Sequence, residues 1–254
     1  KDDNKELKNF LSGIIDLLSN NFEHFEIIVV DDSAKSTAKN IISDFTKRPH
    51  TNGSLSLVEM GYPQGVELAM NAGVDLSIGD FIIEFDSVYI DYPINTIMAI
   101  YRKALENNDI VAAASNSHKK ISSRIFYRLF NKNSSIPERL DTETFFIISR
   151  RAINRVNNMN IKIPYRKAVY ANCGLNKKTI TYSKISDNKQ KKNHKYRRDI
   201  AIDSLILFTD VAYKFAIAMS MIMMTLLIGI SIYALVFFLS GQAIAGWTTT
   251  ILLL

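Results

Sequence analysis

The chain has 254 residues, 47% of them hydrophobic, enough to bury a sizeable core as one large domain or two small ones. Its formal charge of +6 comes largely from one basic run, KQKKNHKYRR, and its single cysteine excludes an intramolecular disulfide and a multi-cysteine metal site. Cys173 therefore reads as a core residue of a protein kept in a reducing compartment.

KELKNFLSGIIDLLSNNF carries apolar residues at helical spacing, and the β-branched run FEIIVV after it stops at Asp31 and Asp32. The alternation continues with STAKNIISDFTK as helix, SLSLVEM as strand, GVELAMNAGVDLS as helix, DFIIEFD as strand, INTIMAIYRKALEN as helix and DIVAAAS as strand. Helices alternating with nearly continuous apolar strands predict an α/β fold with a doubly wound, mainly parallel sheet covered on both faces, Rossmann-like in arrangement. Such a fold ordinarily has a strand ahead of its first helix, and none stands there in this sequence. From Lys119 the character changes. KKISSRIFYRLFNK interleaves Lys and Arg with Ile, Phe, Tyr and Leu, the pattern of a helix lying on a membrane surface or of one packed on the sheet with its basic edge in water. ETFFIIS then reads as a strand, RRAINRVNNM as a helix, KKTITYSKIS as a strand and IDSLILFTDVAYK as a second amphipathic helix, next to a membrane.

The membrane enters through Phe215 to Leu239, which carries no charge and exceeds the roughly 20 apolar residues that cross a bilayer as a helix. SGQAIAGW follows as an uncharged turn, and TTTILLL as the start of a second membrane helix, so a transmembrane hairpin is expected. Lys189 to Arg198 are rich in positive charge and the turn has none. That asymmetry puts the residues before the span in the cytoplasm. Beside a span, the basic run favours anionic lipid or a lipid phosphate over nucleic acid.

Ligands of open α/β sheets lie beyond the carboxyl ends of the strands, which points to Asp31 and Asp32 after EIIVV and to Asp86 after FIIEF. A carboxylate there can accept from ribose hydroxyls or a base N–H, or hold Mg²⁺ or Mn²⁺ against a diphosphate. Ahead of SAKST, an aspartate equally serves as a helix cap or turn former.

The ordered set IVVDDSAKST, GYPQGVELAMNAGVDLSIGDFIIEFDS, SRIFYRLFN, FFIISRRA and KY, followed by an apolar hairpin containing GW, resembles the family-2 glycosyltransferases of the dolichyl-phosphate mannose synthase and undecaprenyl-phosphate glycosyltransferase type. The resemblance runs from Glu26 onward. It implies a GT-A-like fold with a nucleotide-sugar-binding α/β half at 1–118, an acceptor-side region with amphipathic interface helices at 119–212, and transmembrane segments at 213–254. It also implies donor binding by Asp31, Asp32, Ser33, Asn71, Gly73 and Asp86, the A-x-N-x-G pattern falling on Ala69, Asn71 and Gly73. Backbone N–H groups of that helix and of its preceding turn would face the donor, although Gly73 equally fits a close-packing or helix-end position.

An Asp-x-Asp motif with a further Asp and a proline is represented by Asp86, Val88, Asp91 and Pro93, so its middle carboxylate is replaced. The resemblance assigns Asp86 and Asp91 to a divalent cation, Mg²⁺ or Mn²⁺, and these two with Arg150 to catalysis. Glu143, Thr144 and Phe145 stand where the family shows Gly-Asp-Phe, leaving Asp141 or Glu143 as substitutes for the missing carboxylate. Arg124, Tyr127, Arg128, Ser149, Lys195, Arg197 and Arg198 fall at the lipid-phosphate positions, with His194 where Ser is usual.

The function so implied is an inverting transfer of a sugar from a UDP- or GDP-linked donor to undecaprenyl or dolichyl phosphate. It would act at the cytoplasmic face of a multi-pass membrane protein of the bacterial inner membrane, with membrane lipids and, through the membrane helices, a second copy of the chain as partners. The alternative is a catalytically impaired homologue that binds nucleotide sugar, lipid or a partner protein without transfer. Nucleic-acid binding has no supporting motif beyond the basic run.

Overall fold

A computed structural model describes residues 2–34, 38–46, 52–117, 121–134, 136, 139–159, 165–185, 194–241 and 246. In chain order the elements are α1 (Asp2–Asn21), β1 (Phe25–Asp31), α2 (Ala38–Thr46), β2 (Gly53–Glu59), α3 (Val66–Leu76), β3 (Phe81–Phe85), α4 (Thr96–Leu105) and β4 (Ile110–Ser115). There follow α5 (Ile121–Asn133), β5 (Glu143–Ser149), α6 (Arg150–Asn158), α7 (Arg166–Asn172), β6 (Lys177–Tyr182), α8 (His194–Phe208) and α9 (Val211–Leu239).

The expected α/β alternation is present, but the sheet is mixed rather than mainly parallel. β1 and β2 form a parallel pair, and a four-stranded sheet runs in the order β3-β5-β4-β6. β4 and β6 are parallel, whereas β5 lies antiparallel to both β3 and β4. The apolar run of β5 is buried on both faces, so its sequence is the same signal whichever way the strand points.

Side-chain alternation along β4 and β5 divides the core between the two faces of this sheet. Val111, Ala113, Phe145 and Ile147 pack with Phe10 and Ile14 of α1 and with Ile97 and Ile100 of α4. Ile110, Ala112, Phe146 and Ile148 pack with Val74 of α3, with Ala152, Ile153 and Val156 of α6, and with Val169, Tyr170 and Cys173 at α7. Burial pushes the Cys173 thiol up, and its Sγ donates to the Tyr170 carbonyl. A further cluster joins α5 to α7 through Phe130, Ala168 and Ala171, with Leu205 and Phe208 of α8 packed against it.

The second amphipathic segment is two helices rather than one. α8 stops at Phe208, Thr209 forms a bridge to Ser134 after α5, and Asp210 stands at the N-cap position of α9. α9 is 29 residues long, with none of its most apolar window buried. It is one helix of membrane-crossing length; the second arm of the expected hairpin falls almost wholly outside the described residues.

Candidate active site

The carboxyl ends of β1, β3, β4 and β6 lie at one end of the fold, together with the amino end of β5. There Asp31 closes a turn: its Oδ1 accepts from the Ser33 N–H at 3.0 Å and the Ser33 hydroxyl at 2.6 Å, and its Oδ2 from the Ala38 N–H at 3.4 Å, where α2 begins. Asp32 reaches across the chain. Its two oxygens accept from the backbone N–H groups of Gln64 and Gly65, both at 2.7 Å, clamping the turn that opens α3.

Gly65 sits at φ +94°, open to glycine and strained for other residues. A Cβ there would lie 2.4 Å from the Tyr196 ring of α8. The Tyr196 hydroxyl accepts from the Glu67 N–H at 3.2 Å, so the first turn of α8 is seated on the start of α3. The N–H groups of Gln64, Gly65 and Glu67, expected to face a donor, are thus engaged by Asp32 and Tyr196. Gly73 serves packing: a Cβ on it would come within 3.0 Å of Val30 Cγ2, where α3 crosses β1. Asn71 is half-buried on the same helix.

Below this turn lies a group that sequence reasoning missed. Arg166, the first residue of α7, is 3% exposed and faces three carboxylates. Its Nε is 2.9 Å from Glu67 Oε2, one terminal nitrogen 2.5 Å from Glu84 Oε2, and the other 2.5 Å from Asp86 Oδ1. The backbone N–H of Arg166 donates to Glu67 as well, and the Tyr170 hydroxyl donates to the second oxygen of Glu84. Burial raises the pKa of Glu84, opposed by Arg166 and Tyr170. Burial likewise opposes the charge on Arg166, but Glu84, Asp86 and Glu67 outweigh it and hold the guanidinium firmly protonated. The available signal was Glu84 itself, an acid inside the apolar run FIIEF, which requires a buried cation from elsewhere.

Asp91 has other partners. Its carboxylate lies 2.8 Å from Lys184 Nζ and accepts from the Tyr182 hydroxyl at 3.2 Å. Val88, between the two aspartates, packs against apolar clusters of the core. Asp86 and Asp91 therefore each answer a different protein cation, and the position between them is turned into hydrocarbon. Among the described residues no group of three or more His, Cys, Asp or Glu side chains is arranged to hold a metal ion. The residues present do not fit a divalent cation shared by Asp86 and Asp91. Nor is Glu143 a substitute, since its buried carboxylate pairs with Lys177 at 2.5 Å. Asp141 is turned to the backbone N–H and hydroxyl of Thr142.

Ser149 and Arg150 are at the opposite end of the sheet. Because β5 is antiparallel to β3, Ser149 aligns with Phe81 while Phe145 aligns with Phe85, which separates Ser149 from Asp86 by about 17 Å of strand. Ser149 caps α6 and donates to Asp109, and Arg150 donates to the carbonyls of Ser77 and Gly79. Both residues tie the far ends of strands together.

Of the lipid-phosphate candidates, Arg124 and Arg128 are exposed on α5, and Tyr127 turns inward to within 3.3 Å of the Tyr165 hydroxyl, next to Arg166. Lys195 lies beside Tyr196 in the first turn of α8. Arg198 is exposed near Asp199, and Arg197 is described in its backbone only.

A sheet with helices on both faces, and a cluster of acids at the carboxyl ends of β1 and β3, define a GT-A-like α/β protein. The family model for glycosyl transferase family 2 matches residues 4–170, and the chain belongs to that family. It is 23% identical over 217 residues to an uncharacterized glycosyltransferase of Synechocystis sp., an alignment covering 82% of this chain and 67% of that protein. Among solved structures it is similar to 4-diphosphocytidyl-2C-methyl-D-erythritol synthase from Anaerococcus prevotii, with a TM-score of 0.50, 13% identity and coverage of 78% and 88% of the two chains. It is also similar to residues 1–349 of TarS from S. aureus, with a TM-score of 0.44, 12% identity and coverage of 81% and 63%.

Proposed function

We propose that this family-2 glycosyltransferase moves a sugar from a UDP- or GDP-linked donor to a polyisoprenyl phosphate at the cytoplasmic face of a membrane. One observation carries the reading. Tyr196 seats α8 on the turn clamped by Asp32, and α8 leads through Thr209 and Asp210 into the apolar helix α9. The donor end of the sheet is thereby joined to a helix of membrane-crossing length.

In this reading Asp31, Asp32 and Ser33 border the nucleoside, with Asn71 nearby. Arg124, Arg128, Lys195, Arg197 and Arg198 hold the lipid phosphate at headgroup depth. The acceptor phosphate oxygen forms a bond to the anomeric carbon as the bond to the donor diphosphate breaks, with inversion. The acceptor oxygen is already anionic, so no general base is needed; the protein supplies orientation and charge compensation.

A second reading, a homologue that binds donor and lipid without transfer, is favoured by the engagement of Asp86 with Arg166 and by Val88. Incubation of the purified chain with radiolabelled UDP- and GDP-sugars and undecaprenyl phosphate separates the two. Label passing into the lipid phase supports transfer. Nucleotide binding without lipid-soluble product from any donor supports the second reading, and neither binding nor product refutes both.

A further inference from the structure

We infer that the Arg166 guanidinium, fixed among the carboxylates of Glu67, Glu84 and Asp86, excludes a divalent cation from them, so that this chain takes its nucleoside diphosphate without a metal. The inference rests on the nucleotide-sugar reading above.

The geometry decides against a shared ion. A hard divalent cation needs oxygens converging on one point at about 2.1 Å for Mg²⁺. Here the three carboxylates address three different nitrogens, Nε and the two terminal nitrogens, at 2.5–2.9 Å. They are spread around a planar fork rather than gathered about a point. The fork is fixed from behind: the Arg166 N–H is bound to Glu67, and Ala168, Val169 and Ala171 of α7 are buried in the core. Arginine keeps its proton at any accessible pH, so the cage does not empty by titration. A dication entering it would meet a fixed positive charge and lose the Asp86 oxygen already committed. Asp91, with Lys184 and Tyr182 on its carboxylate, and Val88, packed in the core, depart from an ion site independently. Arg166 is itself too deeply buried to touch a diphosphate. It is a positioning residue, which compensates the cage and holds Asp86 at the rim, where that side chain is 31% exposed.

The test is Mn²⁺ binding to the full chain in detergent, without nucleotide, followed by electron paramagnetic resonance, and UDP and GDP binding by calorimetry with and without EDTA. The expected results are no stoichiometric Mn²⁺ site below millimolar concentration, and nucleotide affinity unchanged within twofold by EDTA. One Mn²⁺ per chain that is lost in Asp86→Asn, or a tenfold loss of nucleotide affinity in EDTA, would overturn the inference. Arg166→Gln uncovers the cage and is expected to acquire at least a tenfold tighter Mn²⁺ site; a folded variant with no gain counts against the guanidinium as the displacing group. Should that variant not fold, the wild-type titrations decide alone. Absence of UDP and GDP binding under every condition would remove the nucleotide-sugar reading, while the Mn²⁺ result would still decide the state of the cage.

Discussion

Removing the Arg166 guanidinium leaves Glu67, Glu84 and Asp86 facing one another with no cation, two of them in the interior. Breaking a buried ion pair from one side is strongly destabilising, by about 3–5 kcal/mol. Arg166→Met should therefore lower unfolding stability by that order in urea denaturation. Adding Glu84→Gln should recover part of the loss, because the two changes share one network and do not sum; simple additivity would refute the coupling. Asp109 sits in a separate charge site. Hydrogen bonding from Arg151 holds its pKa down against burial, with help from the Ser149 hydroxyl. The folded value lies below the unfolded one, so this stabilisation is complete above about pH 4 and fades as pH falls through the folded value. Asp109→Asn should cost roughly 1–3 kcal/mol at pH 7, toward the lower end because Arg151 is exposed. The gap from wild type should close on acidification, and a pH-independent gap would show that the charge is not its origin. Neither pairing was legible in the sequence: Arg166 is 80 to 99 residues from its acids, and only the misplaced polarity of Glu84 marked that a partner had to exist.

The elements themselves were far easier to read than their directions. Every strand from FEIIVV to KKTITY was marked by β-branched or apolar runs, whereas the antiparallel course of β5 was hidden because burial on both faces removes any sign of polarity. That one inversion carried Ser149 and Arg150 to the far end of the sheet. α7 was missed because its seven residues, RKAVYAN, are too few to show a helical period. What joins the elements at the candidate site is backbone geometry at Gly65, whose φ of +94° and contact with Tyr196 leave no room for a side chain. Gly65→Ala should destabilise by about 1–3 kcal/mol from backbone strain alone, and should also unseat α8. Tyr196→Phe keeps the ring and removes the bond from the Glu67 N–H, worth about 0.5–1.5 kcal/mol. Limited proteolysis of the two variants distinguishes these effects: faster cutting within 194–208 is expected for Gly65→Ala and not for Tyr196→Phe.

At the scale of the whole molecule, α9 and α5 make separate demands on their surroundings. α9, with 29 residues, spans about 43 Å of helix, enough for a hydrocarbon core of about 30 Å, and its large side chains are exposed along its length. On α5, Ile121, Ile125 and Leu129 are exposed at intervals of four residues, alongside Arg124 and Arg128. The opposite face of α5 is packed through Phe126 and Phe130 into the cluster that contains Leu205 and Phe208 of α8. α5 is thus held beside the helix that leads into α9, with a stripe of apolar and basic residues left outward, the composition of a helix at a lipid headgroup boundary. If α9 inserts and α5 only rests at the surface, their contributions separate experimentally. The chain should stay in the membrane pellet through carbonate washing, and Ile125→Asp with Leu129→Asp should leave that unchanged, since insertion depends on α9. If the acceptor is the polyisoprenyl phosphate proposed above, the same pair of substitutions should raise its KM severalfold and leave the donor KM where it was. An equal effect on both substrates would mean that the stripe supports the fold rather than the membrane surface, and extraction of the unmodified chain by carbonate would remove α9 from the bilayer altogether.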